Sequence, residues 1–281
     1  MSAPSVTDVP RPDFPPRALE IVNSFEGAHV RGNPKGASRT ARMITEVLCI
    51  MAEDTPGERV GDAAAAVKQA AGYFTATRGQ MTPAIGNTIG LMLAGMEEAS
   101  GSLKALRAFL RGRAERFNRD SLAHVEAIRE IGANLFSAGM TVLVYDYSST
   151  VVGILTCAGQ HDRVLNLVIP ESRALNGGIP IVRAAAEAGH RVIYTTDSAI
   201  GHELSQADAA LIGAESLTAM GGCWNTMGSK MVAVMARYHG VPLYVPTELL
   251  KFDRRSTAGI LRQPRRIDVP VIAGNDPVLQ H

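Results

Sequence analysis

From Gly139 onward, short apolar runs alternate with amphipathic stretches of roughly ten residues, and this alternation limits the chain more than any other feature. The runs are MTVLVY, RVLNLVI, RVIYTT, AALIGA and VPLYVP. Between them lie TVVGILTCAG, IPIVRAAAEAG, SAIGHELS and SKMVAVMARYHG. Four or five β-rich residues followed by a helical period predict strand–helix–strand units. Their right-handed crossovers lay the strands parallel in one sheet with helices on both faces.

The preceding part of the chain reads differently. Residues Pro16 to Phe136 carry helical signals almost exclusively. Ala41, Ile44, Val47, Leu48 and Met51 recur at helical spacing. Gly61 to Tyr73 is Ala-rich, a helix is expected after Pro83, and Gly101 to Phe136 reads as long helical material. The expected architecture is an N-terminal helical domain over 1–138, then a doubly wound, mostly parallel, Rossmann-like α/β domain over 139–281.

Composition excludes several classes. With 281 residues there is ample chain to bury a core, and 46% hydrophobic with 20% charged residues is ordinary for a globular protein. A net charge of +1 gives no basic surface for nucleic acid. Arg111, Arg113, Arg116 and Arg119 read as a solvated helix face. No apolar stretch is long enough to span a bilayer, and the Pro-rich start lacks the apolar core of a secretion signal. Cys49, Cys157 and Cys223 are far apart and show neither CxxC nor Cys/His ligand spacing. Disulfides and structural metal are therefore not expected, and a reducing cytoplasm is.

Parallel sheets bind ligands at the carboxyl ends of their strands. Here those ends carry Asp146-Tyr147-Ser148-Ser149-Thr150, Glu171-Ser172-Arg173 with Asn176-Gly177-Gly178, Thr196-Asp197-Ser198, Glu215 through Gly222, and Thr247-Glu248. Asp146 and Asp197 suit either a site or a helix N-cap. Arg173 offers a planar donor fork, and Gly177-Gly178 before a helix offers backbone N–H groups to a phosphate. The alternative is a glycine-rich turn beside a solvent-facing arginine. No GxGxxG follows the first strand and no Walker A sequence is present, so neither dinucleotide nor P-loop binding has its motif. His202 and His239 stand alone and read as structural or exposed.

Longer stretches resemble a known family. DAALIGAESLTAMGGCWNTMGSKMVAVMARYHGVPLYV is similar to the GAD/GAE…NGG…NKIGT…HGxP signature of methylthioribose-1-phosphate isomerase, ribose-1,5-bisphosphate isomerase and the alpha, beta and delta subunits of the translation-initiation guanine-nucleotide exchange factor. ESRALNGG resembles that family's phosphate loop, VRGNPKGAS its IRGA motif, and TATRGQMTPAIGN its SRPTA segment; LKFD resembles the FKF of the exchange-factor subunits. The match runs from about His29 to Phe252.

This resemblance implies aldose–ketose interconversion of a phosphorylated sugar by a homodimer, with no metal and no cofactor. Glu215 takes the place of the isomerases' aspartate. Asp146 stands where they carry a catalytic cysteine, Thr226 follows Asn225 in place of their lysine, and ESRA lacks their proline. Asp146 and Glu215 are thus the expected acid/base pair, since two carboxylates in a partly dry pocket hold a proton between them. Arg31, Gly32, Arg78, Arg173, Gly177 and Gly178 are expected to hold phosphate. Asn225 would position a substrate hydroxyl, and Asp197 a ring or loop. Two other readings stay open: a non-catalytic sensor of a sugar phosphate or nucleotide like the exchange-factor subunits, and a different reaction on a phosphorylated sugar.

Overall fold

The computed structural model describes residues 9–30 and 36–262, and they fall into two compact units. The first comprises Met1–His124 with Leu249–Arg254, the second Val125–Glu248 with Arg255–His281. The division thus falls inside the long helix rather than at the expected 138/139 join, and a short late segment returns to the first unit.

The first unit is helical: α1 (Pro16–Val30), α2 (Ala37–Asp54), α3 (Val60–Phe74), α4 (Pro83–Leu93) and the N-terminal part of α5 (Leu103–Ala133). Pro16 and Pro83 begin their helices, where a missing N–H costs nothing. The apolar stripe read from the sequence is the buried face of α2: Ala41, Ile44, Val47, Leu48 and Met51 are all inaccessible or nearly so. Phe74 sits fully buried between Phe14 and Phe25, with ring centroids 5.8 and 5.9 Å away.

Two of the arginines on α5 are not solvated in the way expected. Arg111 is half-buried and ion-paired with Glu46 at 2.6 Å and Glu53 at 2.5 Å; its hydrogen bond holds the Glu53 carboxyl below the usual range. Arg113 donates to the Ala94 carbonyl at 2.8 Å, while Arg116 and Arg119 are exposed as read. One turn before Arg111, Arg107 donates to the Ala52 and Glu53 carbonyls at the end of α2. A cation at a helix C-terminus meets the negative end of its dipole, so this pair ties α5 to α2. Asn87 on α4 donates from Nδ2 to the carbonyls of Leu250 and Phe252, both at 2.8 Å, and so fastens the returning segment.

The second unit contains the expected sheet. Strands β1 (Thr141–Tyr145), β2 (Asn166–Pro170), β3 (Arg191–Thr195), β4 (Ala209–Ile212) and β7 (Leu243–Tyr244) lie in the order β3-β2-β1-β4-β7, every pair parallel. Crossovers run through α6 (Ser149–Gln160), α7 (Gly178–Glu187), α8 (Ile200–Leu204) and α9 (Ser229–His239). The period-2 alternation of strand side chains builds one core on each face. Val142, Val144, Ala209 and Leu211 pack with α6 and α7, and Leu143, Tyr145, Ala210 and Ile212 with α8 and α9.

One element was not legible as such. The stretch after β4 forms a hairpin, β5 (Ser216–Leu217) against β6 (Cys223–Trp224), with Ser216 opposite Trp224 and Leu217 opposite Cys223. Its turn uses Gly221 at φ +74°, and Ser256 Oγ holds its tip by accepting from the Ala219 N–H at 2.8 Å.

At the start of α9, Gly228 has φ +99°, and an added Cβ would lie 1.9 Å from the Tyr145 hydroxyl oxygen. Substituting Gly228→Ala should therefore cost about 2–4 kcal/mol, from left-handed strain plus overpacking, read as a lower urea midpoint. In the first unit, Asn87→Ala leaves two carbonyls without their donor and should cost about 1–3 kcal/mol by the same measurement.

Candidate active site

In the order β3-β2-β1-β4-β7 the chain moves outward from β1 through β2 and β3, then restarts on the other side of β1 with β4. The carboxyl ends of β1 and β4 therefore flank the topological switch point, where parallel sheets open a crevice. Tyr145 pairs in register with Ile212, so Asp146 and the segment Gly213–Glu215 leave the sheet side by side. The approach is close: an added Cβ on Gly213 would lie 2.6 Å from Ser148 Cβ.

Asp146 is 5% exposed and has φ 63°, a left-handed conformation that turns the chain sharply at the strand end. It does not cap α6. Ser148 does, its Oγ accepting from the Val151 N–H at 3.4 Å. Both Asp146 oxygens instead accept hydroxyls from other loops. Ser172 Oγ donates to Oδ1 at 2.8 Å, and the Thr226 hydroxyl donates to Oδ2 in a short contact.

Asp197 is not a cap either. Its Oδ1 accepts from the Ser172 N–H and its Oδ2 from the Arg173 N–H, each at 2.9 Å. These bonds hold the β2–α7 loop, whose Ser172 and Asn176 both take positive φ, at 49° and 52°. The Arg173 side chain projects outward, its Nη1 3.4 Å from Glu171 Oε2. Thr226, Asp146, Ser172 and Asp197 thus form one continuous polar chain across four loops.

The glycine pair serves packing. An added Cβ on Gly177 would sit 1.9 Å from Asp146 Oδ1, and one on Gly178 would sit 2.3 Å from the Pro170 carbonyl oxygen. The Gly178 N–H, expected to be free for a phosphate, donates to the Glu171 carbonyl at 3.2 Å. Glycine is needed because the backbone closes on both groups.

Glu215 precedes the β5–β6 hairpin, its N–H donating to the Trp224 carbonyl at 2.7 Å. Its Oε2 lies 2.9 Å from Arg262 Nη1, an ion pair outside hydrogen-bond alignment. Asn225 Nδ2 donates to Ser229 Oγ at 3.0 Å. Beneath the site the Tyr145 hydroxyl donates to the Met227 carbonyl at 2.9 Å, and burial pushes this phenol up to about 12.

The expected residues thus divide. Asp146, Asp197, Arg173 and the Gly177-Gly178 turn meet around one network, and Glu215 and Asn225 flank the adjacent hairpin. Arg78 belongs to the helical unit, in the π-helical turn Thr75–Gly79, with its guanidinium 5.9 Å from the Phe25 ring centroid. Arg31 and Gly32 lie outside the described residues. Ser172 stood inside the ESRALNGG segment without a role of its own, Arg262 carried no motif that marked it, and Thr226 was visible only as a departure from one. A cleft of about 390 Å³ lined by Arg17, Glu20, Ile21, Ser24, Glu46 and Ile50 lies in the helical unit and holds none of the expected residues.

The pattern of the Initiation factor 2 subunit family matches residues 33–267. A protein of Haloterrigena turkmenica named ribose 1,5-bisphosphate isomerase is 28% identical over 265 residues, covering 94% of this chain and 79% of that one. Among solved structures, eIF2B delta from Chaetomium thermophilum superposes with a TM-score of 0.75 at 20% identity, over 88% of this chain and 93% of that one. The 5-methylthioribose 1-phosphate isomerase of Pyrococcus horikoshii gives a TM-score of 0.71 at 20% identity, over 91% and 73%. At these identities the structures attest the shared fold.

The Asp197 bonds lead to a direct expectation. In Asp197→Ala the amides of Ser172 and Arg173 should exchange with deuterium about tenfold to a hundredfold faster, while β1 amides keep their protection. Hydrogen-exchange mass spectrometry on both proteins measures this.

Proposed function

The chain belongs to the Initiation factor 2 subunit family, and on that premise we propose that it is an isomerase interconverting the aldose and ketose forms of a phosphorylated sugar. The observation that carries this reading is a buried carboxylate, Asp146, at the switch point of the sheet, with Glu215 leaving the neighbouring strand. The similar protein named ribose 1,5-bisphosphate isomerase supports it over 94% of the chain.

The chemistry is a proton transfer with no net redox change. One group, as the carboxylate, removes the hydrogen from the carbon beside the carbonyl while the other, as the carboxylic acid, gives its proton to the carbonyl oxygen, leaving an enediol and the two groups with their protonation exchanged. Returning a proton to the former carbonyl carbon, with loss of the adjacent hydroxyl proton, completes the isomer. Asp146 and Glu215 fill these roles. Ser172 and Thr226 orient Asp146, and Asn225 orients a substrate hydroxyl. Arg173, on the loop that Asp197 holds, meets the phosphate.

Relatives of this chain also include proteins named eIF2B subunits, and one observation favours the second reading, a non-catalytic sensor. Both Asp146 oxygens already accept hydroxyls, and Glu215 already faces Arg262. Either carboxylate must exchange partners before it moves a proton.

We also read the protein as a cytoplasmic homodimer. Met231, Val234 and Tyr238 on α9 are 40%, 55% and 79% exposed, an apolar stripe suited to a second copy. All three cysteines are free, in keeping with a reducing compartment. No helix among the described residues is long and apolar enough to cross a membrane.

Incubating the protein with a panel of phosphorylated aldoses in deuterated water tests the catalytic reading. Deuterium should enter at the carbon beside the carbonyl, and Asp146→Asn and Glu215→Gln should each slow this by about a hundredfold or more. A sugar phosphate or nucleotide that binds with no exchange across the panel would move the assignment to the sensor.

A further inference from the structure

Away from the sheet edge, α5 and α6 cross unusually closely. An added Cβ on Gly132 would lie 2.4 Å from Ile154 Cδ1, and one on Gly153 would lie 2.6 Å from Arg129 Nε. Where the two helices end, three different metal-binding groups converge. Cys157 lies in the last turn of α6, His161 is its C-cap residue, and Glu130 is in the last turn of α5. A separation of four residues puts Cys157 and His161 on the same helix face. One ligand atom from each of Glu130, Cys157 and His161 lies within 4.8 Å of the other two, and His161 Nε2 is 3.9 Å from Glu130 Oε1. The expectation that no cysteine has a histidine at ligand spacing therefore does not hold for Cys157.

We propose that Glu130, Cys157 and His161 bind a zinc-class divalent cation, with a fourth position left to water. Thiolate, imidazole and carboxylate together form a donor set for a borderline-soft metal, and the sulfur disfavours calcium and magnesium. Ordinary zinc bond lengths in a tetrahedron put ligand atoms about 3.4–3.6 Å apart. Reaching that from the present spacing needs side-chain movements on the order of 1 Å, with Glu130 and His161 half-exposed and free to make them. The negative ends of two helix dipoles also point here and favour a cation. The neighbouring guanidiniums are engaged elsewhere: Arg129 with Glu126 at 3.2 Å, and Arg163 on the Ala133 carbonyl at 2.8 Å. On binding, the Cys157 S–H bond breaks, its proton goes to solvent, and a sulfur–metal bond forms. Thiolate and carboxylate together then balance the charge of the ion. The ion ties α5 to α6.

Cobalt(II) reports on such a site. Titrated into chelator-stripped full-length protein, it should produce a thiolate-to-cobalt charge-transfer band in the near ultraviolet, with tetrahedral bands in the visible, saturating at a single ion per chain. Cys157→Ser should abolish the charge-transfer band and His161→Gln should weaken binding at least tenfold, whereas Cys223→Ser should leave it intact. Zinc should displace cobalt and raise the melting temperature of the wild type, but not of the Cys157 or His161 variants. Absence of a charge-transfer band, its persistence without Cys157, or a melting temperature indifferent to zinc would overturn the proposal. The half-exposed His161→Gln change keeps the test open if the buried serine variant does not fold.

Discussion

A carboxylate placed inside a protein must find donors, because an isolated buried charge costs far more than folding can spare. Asp146 imposes that demand at the end of the central strand, and the surrounding loops are arranged to meet it. Ser172 reaches it from the β2–α7 loop and Thr226 from the segment before α9. Asp197 then holds the amides of Ser172 and Arg173. Gly177 lies against the same carboxylate with no room for a side chain. Four loops thus share their conformation through one group.

The sheet makes this arrangement possible. Because β1 and β4 are buried on both faces, their residues alternate between two cores, and a slip by one residue would send each set into the other core, whose packing it does not match. Register in turn sets which residue emerges first at each carboxyl end. Asp146 and the Glu215 segment leave from adjacent strands for that reason. In the helical unit, arginine takes a comparable role: Arg107 and Arg111 join α5 to α2 through carbonyls and carboxylates together.

Much of this was legible from periodicity. The α2 stripe, the Ala-rich α3 and all five parallel strands stand in the sequence because burial on one or two faces leaves a repeating apolar pattern. The β5–β6 hairpin was not, since two-residue strands are too short to show a period; only the register between Ser216 and Trp224 reveals it. Gly177 and Gly178 were visible as a turn, yet the reason for both glycines is contact with Asp146 and Pro170. Arg111 read as a solvated cation because its partners, Glu46 and Glu53, lie on another helix. Cys157 and His161 were overlooked because Glu130, the third member of the group, comes from a different helix.

The order of elements, the parallel α/β class and the strand-end placement of Asp146 and Glu215 follow from the chain alone, since each depends on local spacing of apolar residues. What those carboxylates touch does not. Ser172 lies 26 residues from Asp146 and Thr226 lies 80, and Arg262 meets Glu215 from beyond the last strand. No local pattern encodes such pairs. They arise when crossovers bring separate loops to one edge of the sheet, where the cost of an unpaired buried carboxylate selects the hydroxyls that reach it.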